Sequence, residues 1–289
     1  VKVVLFCGGY GTRIRDYSDR VPKPLVPIGS RPIIWHIMKY YAHFGHTEFI
    51  LCLGYQGEAI KRYFLDYEET LSNDFVMSEG GASVQLLSHD IREWNITFVD
   101  TGLASNVGER LWRVRHLVED DETFIVNYSD GLTDHHLPDL EAHVKATDAV
   151  GGFLTVCPKV SFHAVTADED GAVRSVHPIT RSDLRVNGGY FIFKPELFDY
   201  MRDGEDLLNE PFERLISEGR LIATPHDGFW MSMDTFKEKQ ELDDMYHQGV
   251  RPWEVWHAPR VAGSAPTAGA VEASAVEVGA GEVGVRVPA

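Results

Sequence analysis

The chain has little cysteine. Three thiols, Cys7, Cys52 and Cys157, are spread over 289 residues, each beside apolar neighbours. That excludes a disulfide framework and any close zinc-ligand spacing. Buried thiols in a reducing cytoplasm are expected instead. Basic residues are scarce as well: Lys plus Arg number 27 against 44 Asp plus Glu, a net charge of −17. A field of that sign repels nucleic acid and anionic lipid, so neither a nucleic-acid nor a membrane partner is expected. A local basic cluster or a bound metal still admits a small anionic substrate. No apolar run approaches the roughly 20 residues needed to cross a bilayer. The opening VKVVLFCGG is too short in its apolar stretch for a secretory signal. Large side chains are missing from the far end, where residues 258–289 contain no aromatic residue at all. Such a segment cannot bury enough apolar area to offset its ordering entropy, and a flexible low-complexity tail is expected there.

What remains, residues 1–257, has globular texture. Val1 to Phe6 reads as a buried strand, too short and too β-branched for a helix. Pro32 to Phe44 has helical spacing, with Ile33, Ile37, Tyr40, Tyr41 and Phe44 on one side. Strands are predicted at Glu48–Leu53, Ile96–Val99 and Thr123–Asn127, with helices from about Gly57 and Gly108. This alternation predicts an α/β fold, a doubly wound, mostly parallel mixed sheet flanked by helices. Ligands gather at the carboxyl ends of strands in such sheets. Later, a hairpin is expected around Asp168–Gly171, strands at Gly189–Phe193 and Leu221–Pro225, and a closing helix over Thr235–Gln248. The stretch from Asp66 to Asn95 carries few signals and reads as an insertion.

The first strand runs into Gly8-Gly9-Tyr10-Gly11-Thr12-Arg13. Glycines there let backbone amides approach a phosphate. Alone this is weak, since a plain tight turn has the same texture. The third glycine of G-x-G-x-x-G is absent, and no G-x-x-x-x-G-K-[ST] sequence exists. Strand–glycine–helix texture by itself also suits a dinucleotide-dependent oxidoreductase. Pro22-Lys23-Pro24 conflicts with that, because two prolines hold the lysine in what reads as an extended segment.

GGYGTR followed by PKPLVPIGSRPIIWHIMKYY closely resembles the N-terminal signature of the sugar-1-phosphate nucleotidyltransferases. The blocks FILCLGYQGEAIKRYFLDY, WNITFVDTG, ERLWRV, VNYSDG, VNGGYFIF, FWMSMDT and PWEVW favour the branch that uses CTP and glucose 1-phosphate. The resemblance runs with gaps from Val1 to Trp256. It implies one nucleotidyltransferase domain over 1–257, its nucleotide half about 1–130 and a smaller β-rich sugar half about 131–257. It also implies an NTP and a sugar 1-phosphate as substrates, Mg²⁺ as cofactor, and a homo-oligomer.

The reaction so implied is attack by a sugar 1-phosphate oxygen on the α-phosphorus of an NTP, releasing pyrophosphate. A phosphate monoester has its second pKa near ~6 and needs no general base at neutral pH. Catalysis then calls for metal-binding carboxylates, fixed cations and backbone donors. By resemblance Asp130 and Asp234 are the Mg²⁺ ligands. A turn aspartate and a helix N-cap are the structural alternatives for these two. Lys23 and Arg13 are the cations for the triphosphate, and Gly8, Gly9, Gly11 and Thr12 supply loop contacts. Arg110 is the candidate cytosine contact, with a solvated helix arginine as the alternative. On the sugar side, Asn187, Gly188 and Tyr190 match the family's Asn-Gly-Gly-aromatic segment. His177 stands where the family has lysine.

That last match exposes a departure. Family members carry Arg-Phe/Tyr-Gly and later Glu-Lys-Pro in the sugar subsite. This chain reads Ser161-Phe162-His163 and Val176-His177-Pro178, and Arg181 or Arg185 is the candidate replacement cation. The eroded subsite admits a non-glucose or cyclitol phosphate acceptor, or a catalytically silent sugar-nucleotide-binding protein. Retention of Arg13, Lys23, Asp130 and Asp234 argues against silence. One consequence is testable on the tail: truncation after His257 is expected to leave turnover and Tm unchanged within error, by activity assay and calorimetry. A marked fall in either would show that the tail packs.

Overall fold

The computed structural model describes residues 1–9, 21–159 and 162–257. Alternation in the first strand, β1 (Lys2–Phe6), sets the layering. Val3 and Leu5 are buried in one apolar cluster, Val4 and Phe6 in another. Successive side chains of a strand point to opposite faces, so this sheet is covered on both. A short pair, β2 (Pro27–Ile28) and β3 (Arg31–Pro32), leads into helix α1 (Ile33–His43). Ile33, Ile37, Tyr40 and Tyr41 of α1 join the first cluster. β4 (Glu48–Leu53) and α2 (Gly57–Leu65) follow, as the sequence predicts.

The region from Asp66 to Asn95 is indeed set apart from the main sheet. It holds a one-turn helix α3 (Glu69–Ser72) and a separate hairpin, β5 (Phe75–Ser78) with β6 (Ser83–Leu86). Its anchor is Asp90, whose buried carboxylate takes Arg31 at 3.1 Å, Lys39 at 3.2 Å and the Tyr67 hydroxyl.

The chain returns through β7 (Asn95–Asp100), α4 (Val107–Val114), β8 (Phe124–Asn127), β9 (Gly131–Thr133) and α5 (Leu137–Lys145). Leu111 and Val114 of α4 join the second cluster, which covers the opposite face. Then come β10 (Gly151–Val156), the hairpin β11 (His163–Ala167) with β12 (Val173–Pro178), and β13 (Val186–Phe193). α6 (Glu210–Ser217), β14 (Leu221–His226), β15 (Trp230–Ser232) and α7 (Phe236–His247) complete the described elements.

The central sheet has seven strands in the order β14-β10-β13-β8-β1-β4-β7. β8, β1, β4 and β7 are parallel, and β13 runs antiparallel to both β8 and β10. The mostly parallel mixed sheet is therefore as expected. The reversed β13 matters for function. Its register pairs Tyr190 with Asn127, so its first residues lie at the carboxyl edge of β8. β9 and β15 form a separate two-stranded ribbon.

Pro22-Lys23-Pro24 corrects the expectation of an extended segment. Lys23–Leu25 is a 3-10 turn, in which the Leu25 amide donates to Pro22 O at 2.8 Å and Val26 to Lys23 O at 3.0 Å. Proline's fixed φ suits a 3-10 turn as well as an extended chain, and the turn gives two carbonyls a partner. The expected tail lies outside the described residues. Among the described residues, no helix is long and apolar enough to cross a membrane.

One buried histidine sets an acid limit on the fold. His36 in α1 is 1% exposed and sits against Trp35, Trp253 and Trp256. Its Nε2 faces Ile28 O at 3.1 Å and must donate there, while its Nδ1 is buried with no hydrogen-bond partner among the described residues. Burial pushes its pKa down to about 4. The folded state then binds this proton more weakly than the unfolded chain does. Stability is fully present above the ordinary histidine range and drains away as pH falls from about 6.5 to about 4. Tm measured across that window should fall in the wild type, and less steeply in His36→Gln. Equal slopes would show that other groups set the acid limit.

Candidate active site

Three chain-distant side chains meet at the carboxyl edge of the sheet. The ammonium of Lys23 lies 2.7 Å from Asp130 Oδ2 and 2.7 Å from Asp234 Oδ1. Each arrives by a local device. Lys23 is fixed by its 3-10 turn, with Pro24 buried beneath it. Asp130 follows β8 after Ser129, a buried non-glycine residue in the left-handed region at φ 59°. The Asn127 side chain takes the Ser129 amide at 2.7 Å, and the Ser129 hydroxyl donates to Tyr128 O at 2.7 Å. Strain held by a surrounding network of this kind is common at functional sites. Asp234 follows β15 and precedes α7. Thr235 caps that helix in a reciprocal box with Glu238, whose carboxylate also takes the Asp234 amide at 2.8 Å. The helix N-cap alternative for Asp234 is thus occupied by its neighbour, and the Asp234 carboxylate is turned to Lys23.

Burial works against the Lys23 charge, but the two carboxylates outweigh it and hold its pKa above the ordinary lysine value. The two aspartate oxygens converge on one point, each within hydrogen-bond distance of it. Paired hard oxygens of this kind fit Mg²⁺, which takes one or two carboxylates and completes its shell with water and phosphate oxygens. Among the described residues, no group of three His, Cys, Asp or Glu side chains is arranged to hold a metal ion.

A cleft of about 350 Å³ opens beside Asp130, lined also by Phe6, Gly8, Gly9, Arg110 and Tyr128. It gathers the described part of the expected nucleotide set. Arg110 is 4% exposed, which removes the solvated-helix alternative. Its guanidinium donates to Leu53 O at 3.1 Å, Thr101 Oγ1 at 2.8 Å and Gly8 O at 3.1 Å. It therefore pins the carboxyl ends of β1, β4 and β7 together while lining the cleft. Burial pulls its pKa below the usual arginine value. A side chain at Gly8 would displace the Arg110 guanidinium from its three partners, because a Cβ would lie 2.1 Å from Arg110 Nη1. Arg13, Gly11 and Thr12 lie outside the described residues.

The sugar-side expectations divide. Asn187 and Gly188 are the second and third residues of β13, and Asn187 Nδ2 reaches the Tyr128 hydroxyl at 3.3 Å. Gly188 O accepts from the Trp230 indole at 2.8 Å. Tyr190 is not brought to the cleft. It is 1% exposed, packs on Tyr40 and Tyr41, and donates its hydroxyl to Gly131 O at 2.7 Å. It braces the Asp130 turn from inside the core. His177 lies half-buried on β12, opposite Ala164. Arg185 pairs with Asp227 at 2.6 Å.

Ser129, Tyr128 and Trp230 are site residues that sequence reasoning missed. Only the N-Y-S-D-G and F-W-M-S-M-D-T blocks hinted at them, without roles.

Similarity to known proteins now adds to the geometry. The nucleotidyl transferase family profile matches residues 2–243. A probable glucose-1-phosphate cytidylyltransferase of Bacillus subtilis (strain 168) is 39% identical over 258 residues, 89% of this chain and 100% of that protein. A glucose-1-phosphate cytidylyltransferase of Salmonella typhimurium (strain LT2) is 38% identical over 262 residues, again 89% of this chain and 100% of its own length. In solved structures, a UDP-glucose pyrophosphorylase complexed with UDP-glucose superposes with a TM-score of 0.63 at 15% identity, over 86% of this chain and 98% of the other. That last likeness speaks for the fold alone. The chain belongs to the nucleotidyl transferase family, and within it to the sugar-1-phosphate nucleotidyltransferases.

The triad can be tested directly. Asp130→Asn and Asp234→Asn should each lower kcat by ~10²-fold or more without unfolding the protein. Lys23→Ala should cost more kcat/KM for the nucleotide than Lys23→Arg. Near-normal rates at saturating Mg²⁺ in both aspartate variants would remove them from the site.

Proposed function

We propose that this protein transfers CMP from CTP to glucose 1-phosphate or a close relative, with Mg²⁺, forming a CDP-sugar and pyrophosphate. The observation that carries the reading is the meeting of Lys23, Asp130 and Asp234 beside the glycine-lined cleft. The names of the Bacillus and Salmonella relatives supply the donor and acceptor. An oxygen of the acceptor phosphate forms the new bond to the α-phosphorus. The bond from that phosphorus to the α–β bridging oxygen breaks, and the electron pair leaves with pyrophosphate. The acceptor is already a dianion, so no side chain has to remove a proton. What the protein must supply is approach and charge stabilisation.

Asp130 and Asp234 are the residues to hold Mg²⁺, which when bound supplies charge neutralisation of the phosphates. Lys23 gives a fixed ammonium at the same point. Arg13 serves the leaving pyrophosphate, and Gly8, Gly9, Gly11 and Thr12 serve the triphosphate with backbone donors. Arg110, a residue of the cleft wall, is the base-side contact. The nucleotide half then comprises about 1–130 and the sugar half about 131–257, with Asn187 and Gly188 at the acceptor. A homo-oligomer fits the β5–β6 hairpin, where Phe75, Val76, Met77 and Val84 are exposed. A lone two-stranded sheet with such a surface gains from being covered.

The acceptor end departs from the family pattern at Val176-His177-Pro178. Arg185, one candidate substitute, is engaged with Asp227. The test is pyrophosphate release with each NTP, Mg²⁺ and a panel of sugar 1-phosphates, for wild type and for Val176→Glu/His177→Lys. CTP should lead among nucleotides. The wild type should discriminate less among sugars than the double variant. Exclusive glucose 1-phosphate use, unchanged in the double variant, would sink the altered-acceptor reading, and no release with any pair would sink the enzyme reading.

A further inference from the structure

Asp130 and Asp234 do not stand on the central sheet. They flank one end of the β9–β15 ribbon, where Gly131 pairs with Ser232 and the Met233 amide donates to Asp130 O at 2.8 Å. The ribbon is three residues long on each side. Two strands of that length depend on their surroundings for order: Leu132 and Met231 pack in the first apolar cluster, and the Tyr190 hydroxyl and the Trp230 indole hold the near end.

The far end of the ribbon is held by a polar clip. Asp134 Oδ1 takes the Phe229 amide at 2.8 Å and lies 3.0 Å from His226 Nε2. The Asp134 amide donates back to Phe229 O at 3.1 Å, and the Thr133 hydroxyl donates to the same carbonyl at 2.9 Å. His226 Nε2 is also 3.2 Å from that carbonyl. His226 ends β14, so the Asp134 carboxylate ties this far end of the ribbon to the main sheet, as the Tyr190 hydroxyl and the Trp230 indole tie its near end to β13. Gly228 leaves the clip no slack, because a Cβ there would lie 2.5 Å from Asp134 Oδ1.

Its surroundings favour a held, charged contact over a loose surface pair. The His226 side chain is 11% exposed. Burial works against its charge, but Asp134 and the Phe229 carbonyl outweigh burial and hold its pKa above the ordinary histidine value. His226 Nδ1 meets His135 Nδ1 at 3.4 Å. Burial and His226 together push the His135 pKa down to about 4, so His135 stays neutral and its Nδ1 can accept a hydrogen bond from the His226 Nδ1–H.

We propose that Asp134 and His226 are positioning residues for nucleotidyl transfer, clipping the ribbon so that Asp130 and Asp234 meet at one point. The inference rests on the metal-holding reading of those two aspartates. Mg²⁺ demands near-octahedral geometry, so ligand carboxylates that drift lose it. Loss of a partner bonded directly to a ligand typically costs about 10–100-fold in metal affinity or activity, and a clip acting through the ribbon is expected at the lower end of that range.

The experiment compares wild type with His226→Ala, His226→Gln and Asp134→Asn. It measures kcat, KM for the nucleotide that supports turnover, the half-saturating Mg²⁺ concentration, and hydrogen exchange of the ribbon amides. Glutamine can place its amide nitrogen near the lost Nε2. His226→Ala should lower kcat and raise the Mg²⁺ requirement, each by about 10-fold or more, with nucleotide KM moving less than about threefold. Its ribbon amides should exchange faster. His226→Gln should recover most of both. Wild-type kcat and Mg²⁺ response in His226→Ala, or a loss confined to KM, overturns the proposal. Should that variant not fold, Asp134→Asn decides, because it keeps an oxygen for the Phe229 amide: a raised Mg²⁺ requirement supports the clip and a wild-type requirement refutes it. Asp130→Asn run alongside separates the two ideas. Wild-type turnover there refutes the metal reading, whereas an inactive Asp130→Asn beside a fully active His226→Ala refutes the clip alone.

Discussion

The architecture of this site depends on holding two carboxylates together in a protein that already carries a net charge of −17. Like charges at close range repel, and partial burial strengthens the repulsion. Lys23 resolves it by standing 2.7 Å from an oxygen of each. The three residues come from the 3-10 turn at Lys23–Leu25, from the end of β8 and from the approach to α7. The ion cluster therefore forms only when most of the described fold is in place. An aspartate pair that a cation must complete is poor economy for stability and good preparation for a divalent ion. Stability alone would be served as well by apolar packing at the same place.

Two features of the backbone bring the parts into register. The first is Arg110, which ties the carbonyls of Leu53 and Gly8 and the hydroxyl of Thr101 into one knot. A parallel sheet leaves its carboxyl-end carbonyls pointing outward, and a single guanidinium can satisfy several of them at once. The second is the reversal of β13. An antiparallel strand begins where its parallel neighbours end. Asn187 and Gly188 thus lie past the carboxyl end of β8 without any long loop, and Asn187 meets Tyr128 of the cleft wall. Tyr190, two residues further in, falls inside the core for the same reason.

Much of this was legible in the sequence. β4 begins and ends where predicted, and α1 and the closing helix fall within a few residues of expectation. Those segments have strong periodicity or continuous apolar runs, which tertiary context seldom overrides. The grouping of Lys23 with Asp130 and Asp234 was legible only through resemblance, because no local pattern links residues so far apart. The short elements were not legible. β9 and β15 have three residues each, too few to show a period, and Gly131 lowers the apparent strand propensity further. The 3-10 turn at Lys23 escaped notice because proline restricts φ without choosing between turn and extended chain. Tyr190 was misjudged as a contact because a motif match does not say which way a strand residue faces. Its alternation with the buried strand neighbours decides that, and it needs the partner strands to be known.

The acceptor end can be weighed by the same logic. A lysine in the family pattern would bring a fixed positive charge to the sugar phosphate. Here one of the nearest sequence substitutes, Arg185, is differently employed. Arg185 donates to Asp227 at 2.6 Å and to His226 O at 3.3 Å, which places it behind the strand end that Asp134 also grips. Its charge is balanced locally, so moving it to a ligand would cost the Asp227 pair. His177 sits on a hairpin that pairs with no strand of the central sheet. A hairpin without sheet neighbours positions its side chains less firmly than β13 or the ribbon does. The firm contacts at this end are instead backbone and aromatic: the Gly188 carbonyl held by Trp230, and the Asn187 side chain braced between the Gly189 amide and Tyr128. Hydrogen bonds from such groups read hydroxyl positions, while charge reads only the phosphate. On the proposed function, the acceptor end is thus built more from fixed backbone and amide groups than from a fixed cation.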